Sequence, residues 1–215
     1  MLLAVASQRG PFFKTDDLQW VNELEKNWVA IRDEMVAQVE QAQLPSLDQV
    51  SRGERSISDQ RWKVFLFRFY MIDMEDNRQR CPATSRLIDR VPGMTSAMFS
   101  ILEPGKHIPP HRGPFSGVLR YHLGLHIPNP PESTRIRVDN DTRFWQEGKS
   151  LLFDDTFEHE VWNDSDDYRA VLFLDVKRPL PIPVRWLNDL LLWLLATFIA
   201  RHLIDKEVAT VIGGK

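Results

Sequence analysis

The sequence predicts a mostly β protein with helices at both ends: a sandwich, jelly roll or barrel. Three observations lead there. Six short apolar runs, Ala97–Leu102, Val118–His126, Thr134–Val138, Ser150–Phe153, His159–Trp162 and Arg169–Val176, are separated by Pro, Gly, Asn and Asp. Upstream of them, Trp62–Ile72 is dense in aromatic and β-branched residues, as expected of a strand buried on both faces. At either end the periodicity changes to steps of three and four.

The N-terminal periodic segment is Thr15–Gln41. Leu18, Val21, Leu24, Trp28, Ile31 and Met35 share one face, and Thr15 or Asp16 is placed to cap it. Residues 42–60 are polar, carry Pro45 and Gly53, and read as a loop. Pro82–Arg90 has the make-up of a short helix, and a last helix is expected from Val184 to about Ile204. Its core, LLLWLLATFIA, is shorter than the roughly 20 apolar residues that span a bilayer. The opening MLLAVASQRG has no basic residue ahead of its apolar stretch and is expected to be a terminus rather than a signal peptide.

The 215 residues fit one domain: a helical extension and loop (1–60), a β core (61–180) and a C-terminal amphipathic helix (181–215). Hydrophobic residues make up 43% and charged residues 27%, and the net charge of −3 gives no basis for a sequence-independent grip on nucleic acid. Cys81 is the single cysteine, so no internal disulfide forms, in keeping with a reducing cytoplasm.

Chemistry concentrates in two segments, HRGPFSGVLRYHLGL (111–125) and FDDTFEHEVW (153–162). Strand alternation puts Arg120 and His122 on one face, with Leu119, Tyr121, Leu123 and Leu125 on the other. A basic pair on an otherwise apolar strand favours a pocket for an anion; exposure of both is the alternative. On the last strand Arg169, Val171, Phe173 and Asp175 share a face, and an arginine there can clamp a carboxylate or simply lie on the surface. His111 and His159 are the candidate metal ligands, at the ends of different strands, with His107 competing with His111 and His126 set aside as pointing elsewhere.

With these residues in place the sequence resembles the aspartyl/asparaginyl β-hydroxylase family of Fe(II)- and 2-oxoglutarate-dependent oxygenases. The match runs from about Trp62 to Pro179 through FSILEPG, HRGP, LRYHLGL, EG, FDDTFEHEVWN and a late arginine before DV and RP. The resemblance implies a double-stranded β-helix (a cupin-like jelly roll) and hydroxylation of an unactivated carbon, with 2-oxoglutarate and O2 consumed. It implies that His111 and His159 bind iron and that Ser100 and Arg169 hold the distal carboxylate of 2-oxoglutarate. Arg120 and His122 would lie near its other end and the substrate, Trp62 would wall the pocket, and Asp155 would sit beside the metal site and orient ligands and bound water.

Two departures bear on the branch. Gly113 stands where the general oxygenase scheme has a carboxylate ligand two residues after the first histidine. The animal aspartyl hydroxylases also have glycine there, with water at the coordination site, whereas the bacterial lipid A acyl-chain hydroxylases keep an aspartate. An aspartate introduced at 113 is therefore expected to leave iron binding intact or tighter. Val118 stands where the animal enzymes have an arginine for the acidic substrate side chain. Three functions follow: β-hydroxylation of an Asp/Asn-type residue in a peptide, protein or amino acid; hydroxylation of a lipid acyl chain; or a non-catalytic jelly roll binding a metal or anion. Under the lipid alternative the C-terminal helix meets a membrane interface peripherally; otherwise it packs as a core or dimer helix.

Overall fold

The computed structural model describes residues 10–41, 43–50 and 58–202, with side chains to residue 198. The opening nine residues, residues 42 and 51–57 of the 42–60 loop and the last residues of the expected C-terminal helix lie outside the described residues. In chain order the elements are β1 (Phe12–Phe13), α1 (Gln19–Lys26), α2 (Trp28–Gln41), α3 (Leu47–Val50), β2 (Trp62–Phe69), β3 (Ile72–Asp73), α4 (Glu75–Arg80), α5 (Pro82–Ile88), β4 (Met94–Leu102), β5 (His107–His111), β6 (Val118–His126), β7 (Thr134–Val138), β8 (Asp141–Phe144), β9 (Ser150–Phe153), β10 (His159–Asn163), β11 (Arg169–Lys177) and α6 (Ile182–His202).

Two antiparallel sheets form the jelly roll. The larger runs β1-β9-β6-β11-β4-β2-β3 and the smaller β5-β10-β7-β8. β9, β11, β4 and β2 of the large sheet serve two cores, while β6 gives Leu119, Tyr121, Leu123 and Leu125 to one and turns Arg120 and His122 the other way. One set of side chains, among them Val64, Leu66, Met98, Val171 and Phe173, meets Ile108, Ile136, Val138 and Val161 of the small sheet. The alternate set, including Phe65, Phe67, Phe99, Tyr121, Leu123 and Leu172, packs under Val21, Leu24, Ile31 and Met35 of the N-terminal helices. Burial on both faces is why these strands read as continuous apolar runs. Each fully buried side chain of this kind contributes on the order of 2 kcal/mol.

The expected single helix over 15–41 is two. Asn27 leaves helical geometry (φ −105°, ψ 14°), and its side chain donates to the Glu23 carbonyl at 2.8 Å. Neither Thr15 nor Asp16 caps it; Leu18 holds the cap position without a side-chain bond, because residues 15–18 first close a backbone turn from Leu18 N–H to Thr15 O. The strand expected to reach Ile72 stops at Phe69, where Tyr70 (φ 45°) and Met71 (φ 68°) turn the chain through left-handed geometry into β3. β5, the sequence HIPPH, is an additional strand, and as an edge of the small sheet it tolerates its two prolines.

Candidate active site

β5 and β10 are neighbours, and their register sets His111 directly opposite His159. The two imidazole centroids are 4.0 Å apart. Each ring is oriented by the backbone two residues before it: His111 Nδ1 lies 2.8 Å from Pro109 O, and His159 Nδ1 lies 3.0 Å from Phe157 O. A carbonyl only accepts, so Nδ1 is the donor in both rings and Nε2 keeps its lone pair. Burial lowers the pKa of both. For His159 the value falls to about 3, with His111 and Arg120 adding to the effect of burial. Neutral imidazoles with free Nε2 lone pairs are the form that ligates a divalent metal. Among the described residues no group of three or more His, Cys, Asp or Glu side chains that could hold a metal ion comes together; His111 and His159 form a two-imidazole donor pair.

The pair opens onto a narrow cavity between the sheets, lined also by Trp62, Ser100, Arg120, His122, Phe153, Arg169 and Phe173. The structure thus brings together the residues predicted from separate strands. Arg169 is 2% exposed, so the alternative of a surface arginine is excluded. Its guanidinium carbon stacks 4.5 Å from the Trp145 ring, Nη1 reaches Ser100 O only at 3.5 Å, and Nε has no partner. Burial pulls its pKa down to about 9. Ser100 Oγ accepts from Trp62 Nε1 at 3.0 Å, which leaves the hydroxyl proton free to point elsewhere. His122 is enclosed by Trp145, Phe153 and Phe173, and neither of its ring nitrogens has a partner. Burial first, then Arg169 and Arg120, hold it well below the usual histidine range, so it is neutral.

Buried polar atoms are nearly always satisfied in folded proteins. Here five without a partner gather in and around one cavity: both nitrogens of His122, Nε of Arg169, Nε1 of Trp145 and Oδ1 of Asp155. Their chemistry fits a small carboxylate-bearing molecule beside a metal. The cation at the end is matched by an anion, and the remaining atoms can donate to or accept from it.

The profile of the aspartyl/asparaginyl β-hydroxylases matches residues 25–179. The chain belongs to that family. It is 47% identical over 180 residues to the ornithine lipid ester-linked acyl 2-hydroxylase of Rhizobium tropici, covering 83% of this chain and 64% of that protein. It is 37% identical over 171 residues to the aspartyl/asparaginyl β-hydroxylase of Homo sapiens, covering 77% of this chain and 22% of that protein. The aspartate β-hydroxylase domain-containing protein 2 of Rattus norvegicus is 32% identical over 179 residues, 79% of this chain and 51% of that protein. The chain therefore spans less than two thirds of the length of each of these relatives.

In this member of the aspartyl/asparaginyl β-hydroxylase family, Arg120 already has its anions. Asp175 lies opposite it in the β6–β11 register and takes Nε at 3.0 Å and Nη2 at 3.3 Å, and Asp155 Oδ2 lies 3.0 Å from Nη2. The basic face of β6 meets carboxylates of the protein itself, and Arg120 also stacks on Phe173 at 4.5 Å. Asp155 is 2% exposed, and burial raises its pKa against the pull of Arg120.

Gly113 has a spatial reason. A Cβ there would lie 2.1 Å from Asp155 Oδ2 and 2.3 Å from its Cγ, while Gly113 N–H donates to Asp155 O at 2.7 Å. The ground that a side chain at 113 would occupy is filled by the carboxylate of residue 155. Before an aspartate at 113 could leave iron binding intact or tighter, it would have to displace the Asp155 carboxylate. The side chain that would have to move is short, buried and paired with Arg120. Gly113→Asp should lower stability by about 1–3 kcal/mol in a denaturant titration, the usual cost of overpacking. Gly113→Asp combined with Asp155→Gly should recover most of that loss; equal destabilisation of single and double variants would remove the steric explanation.

Of the other histidines, His107 is exposed, stacks on Trp162 and bonds Glu160 at 3.1 Å, so it does not enter the cavity. Simple alternation from His122 would return His126 to the Arg120 face, but a register shift opposite Ala170 and Val171 breaks the pattern. His126 instead bonds Asp167 at 2.9 Å. Sequence reasoning missed Trp145, which lies between strands with no periodic context. It also missed the role of Asp175, whose place on the Arg169 face of β11 was the available signal.

Proposed function

We propose that this chain is an iron(II)- and 2-oxoglutarate-dependent dioxygenase that hydroxylates an unactivated carbon, with the acyl chain of an amphiphilic lipid as the preferred substrate class. The observation that carries the reaction type is the fully buried Arg169, with an unpartnered Nε, in the same cavity as two imidazoles whose Nε2 lone pairs are free. Iron bound there, with 2-oxoglutarate and O2, would supply the oxidant for the C–H bond. His111 and His159 would hold it. Arg169, with the Ser100 hydroxyl, would clamp the distal carboxylate, and Trp62 fixes the orientation of Ser100 by donating to its oxygen. Neutral His122 would donate one hydrogen bond and accept another beside that carboxylate without adding charge. Arg120 keeps Asp155 in place, and Asp155 Oδ1 would orient a ligand or water near the imidazoles. Phe153, Ile136, Val161 and Phe173 exclude bulk water from the reacting carbon.

Two substrate classes follow from the sequence, and three observations favour the acyl chain over an Asp/Asn side chain. Leu47, Phe69, Met98, Pro114 and Phe173 line the mouth next to His111. Its two arginines are engaged, Arg112 with the Thr156 carbonyl at 3.2 Å and Arg120 with Asp155 and Asp175. Identity is higher to the relative named for an acyl hydroxylase, 47% against 37%.

The test is a direct competition. Purified protein with iron(II), 2-oxoglutarate and oxygen is offered a detergent-dispersed acyl amphiphile and an aspartate-containing peptide, and products are read by mass spectrometry. The expected result is one added oxygen on the acyl chain with stoichiometric succinate. Oxidation of the peptide alone would transfer the assignment to the Asp/Asn branch.

A further inference from the structure

α6 turns most of its large apolar side chains to solvent and keeps its polar anchors on the inside. Its inward stripe carries Asn188, which donates to Gly117 O at 3.0 Å, and Asp189, which accepts from Lys177 Nζ at 2.6 Å; Leu192 is the apolar residue buried there. The outward side carries Val184, Trp186, Leu187, Leu190, Leu191, Trp193 and Leu194, each 44–66% exposed. At 100° per residue these positions cover roughly half of the helix circumference. Between Val184 and Leu194 no charged residue falls in that arc, and Arg185 lies on the opposite side of the helix with Asn188, Asp189 and Leu192.

The breadth of the arc decides among occupants. A second helix packed against α6 would cover a stripe on the order of 100° wide or narrower. It would leave either the Trp186–Trp193 side or the Val184–Leu191 side in water. A plane of acyl chains and headgroups covers the whole arc at once. Trp186 and Trp193 stand two turns apart on one side of it, the position in which indoles favour a membrane–water boundary. Among the described residues no helix is long and apolar enough to cross a membrane, so α6 would lie in the interface rather than span it.

We infer that α6 is a monotopic lipid-interface helix, with the arc from Trp193 through Leu190 and Leu187 to Val184 seated among the acyl chains of a bilayer leaflet. Its root joins it to the cavity. Asn188 holds Gly117, and Arg178 donates to Ser116 O at 2.7 Å and pairs with Asp154, so the 112–117 loop that borders the mouth at Gly113 and Pro114 is tied to the seated helix. The seat rests on α6 alone and stands whether or not the cavity performs the proposed reaction.

Vesicles of phosphatidylethanolamine and phosphatidylglycerol, floated on a density gradient with the full chain, test this. Wild type should rise with the vesicles, and brominated acyl chains should quench part of its tryptophan fluorescence. Trp186→Phe with Trp193→Phe should still float but lose that quenching. Trp186→Glu, Leu190→Glu and Trp193→Glu together should reduce partitioning at least about tenfold. Their circular dichroism and their iron–2-oxoglutarate absorption band should be unchanged, which separates failure of the seat from failure of the proposed reaction. Wild type remaining at the bottom would overturn the inference. So would a dimer in sedimentation equilibrium that the triple variant dissolves, because the face would then belong to a second copy of the chain.

Discussion

Arg169→Met should weaken 2-oxoglutarate binding about 100-fold or more while leaving the ligand-free protein as stable as wild type or more so. The two halves have one cause. The guanidinium is 2% exposed, its Nε has no partner and its neighbours are Trp145 and the carbonyl of Ser100. An uncompensated buried cation costs stability. A thioether of similar length keeps the packing and removes that cost. A carboxylate arriving at Arg169 would form charge-assisted hydrogen bonds of about 1.5–3 kcal/mol each, and two of them correspond to the fold-change stated. Calorimetric titration of 2-oxoglutarate into the iron-loaded variant, together with a denaturant melt of the ligand-free protein, reads both halves. Unchanged affinity would remove Arg169 from the clamp. A large loss of stability would make it a structural arginine instead.

His159→Ala should abolish iron retention and lower turnover at least about a thousandfold, because half of the protein's donor set is removed. The ring is 2% exposed, aligned by Phe157 O and paired with His111 at 4.0 Å, so nothing nearby substitutes for it. His107→Ala is the matched control. That ring is exposed and bonded to Glu160, and its removal should leave metal content and turnover unchanged. Metal analysis of both variants after gel filtration checks the pair. Iron retained by His159→Ala would move the metal site elsewhere.

Much of this architecture was legible because the strands are short, apolar and separated by turn residues. The seven strands expected between Trp62 and Val176 form at nearly the stated positions. Four strands carry no such signal: β1 and β3, two residues each, are the edges of the large sheet, and β5 and β8 are the edges of the small one, where prolines and polar side chains hide the period of two. The sequence reads as one unbroken N-terminal helix because Leu24 and Ile31 keep their spacing across Asn27, and spacing alone carries no information about one residue's dihedral angles. In the site, the shared face of Arg120 and His122 followed from alternation. That the anions facing Arg120 are Asp155 and Asp175 depends on the register between β6 and β11 and on the path of the 153–158 turn. The contact of Gly113 with Asp155 likewise joins residues 42 positions apart, and no local pattern announces it.

The most direct test of the central claim is anaerobic. Iron(II) and 2-oxoglutarate are added to the purified protein without oxygen, and the visible spectrum is followed for the weak metal-to-ligand charge-transfer band of an iron–2-oxoglutarate chelate, with His159→Ala and Arg169→Met alongside. The proposed site predicts the band in wild type, its absence in His159→Ala, and its appearance in Arg169→Met only at far higher 2-oxoglutarate. A folded, iron-loaded wild-type protein that gives no band at saturating 2-oxoglutarate would contradict the claim, and the cavity would then be that of a metal- or anion-binding jelly roll.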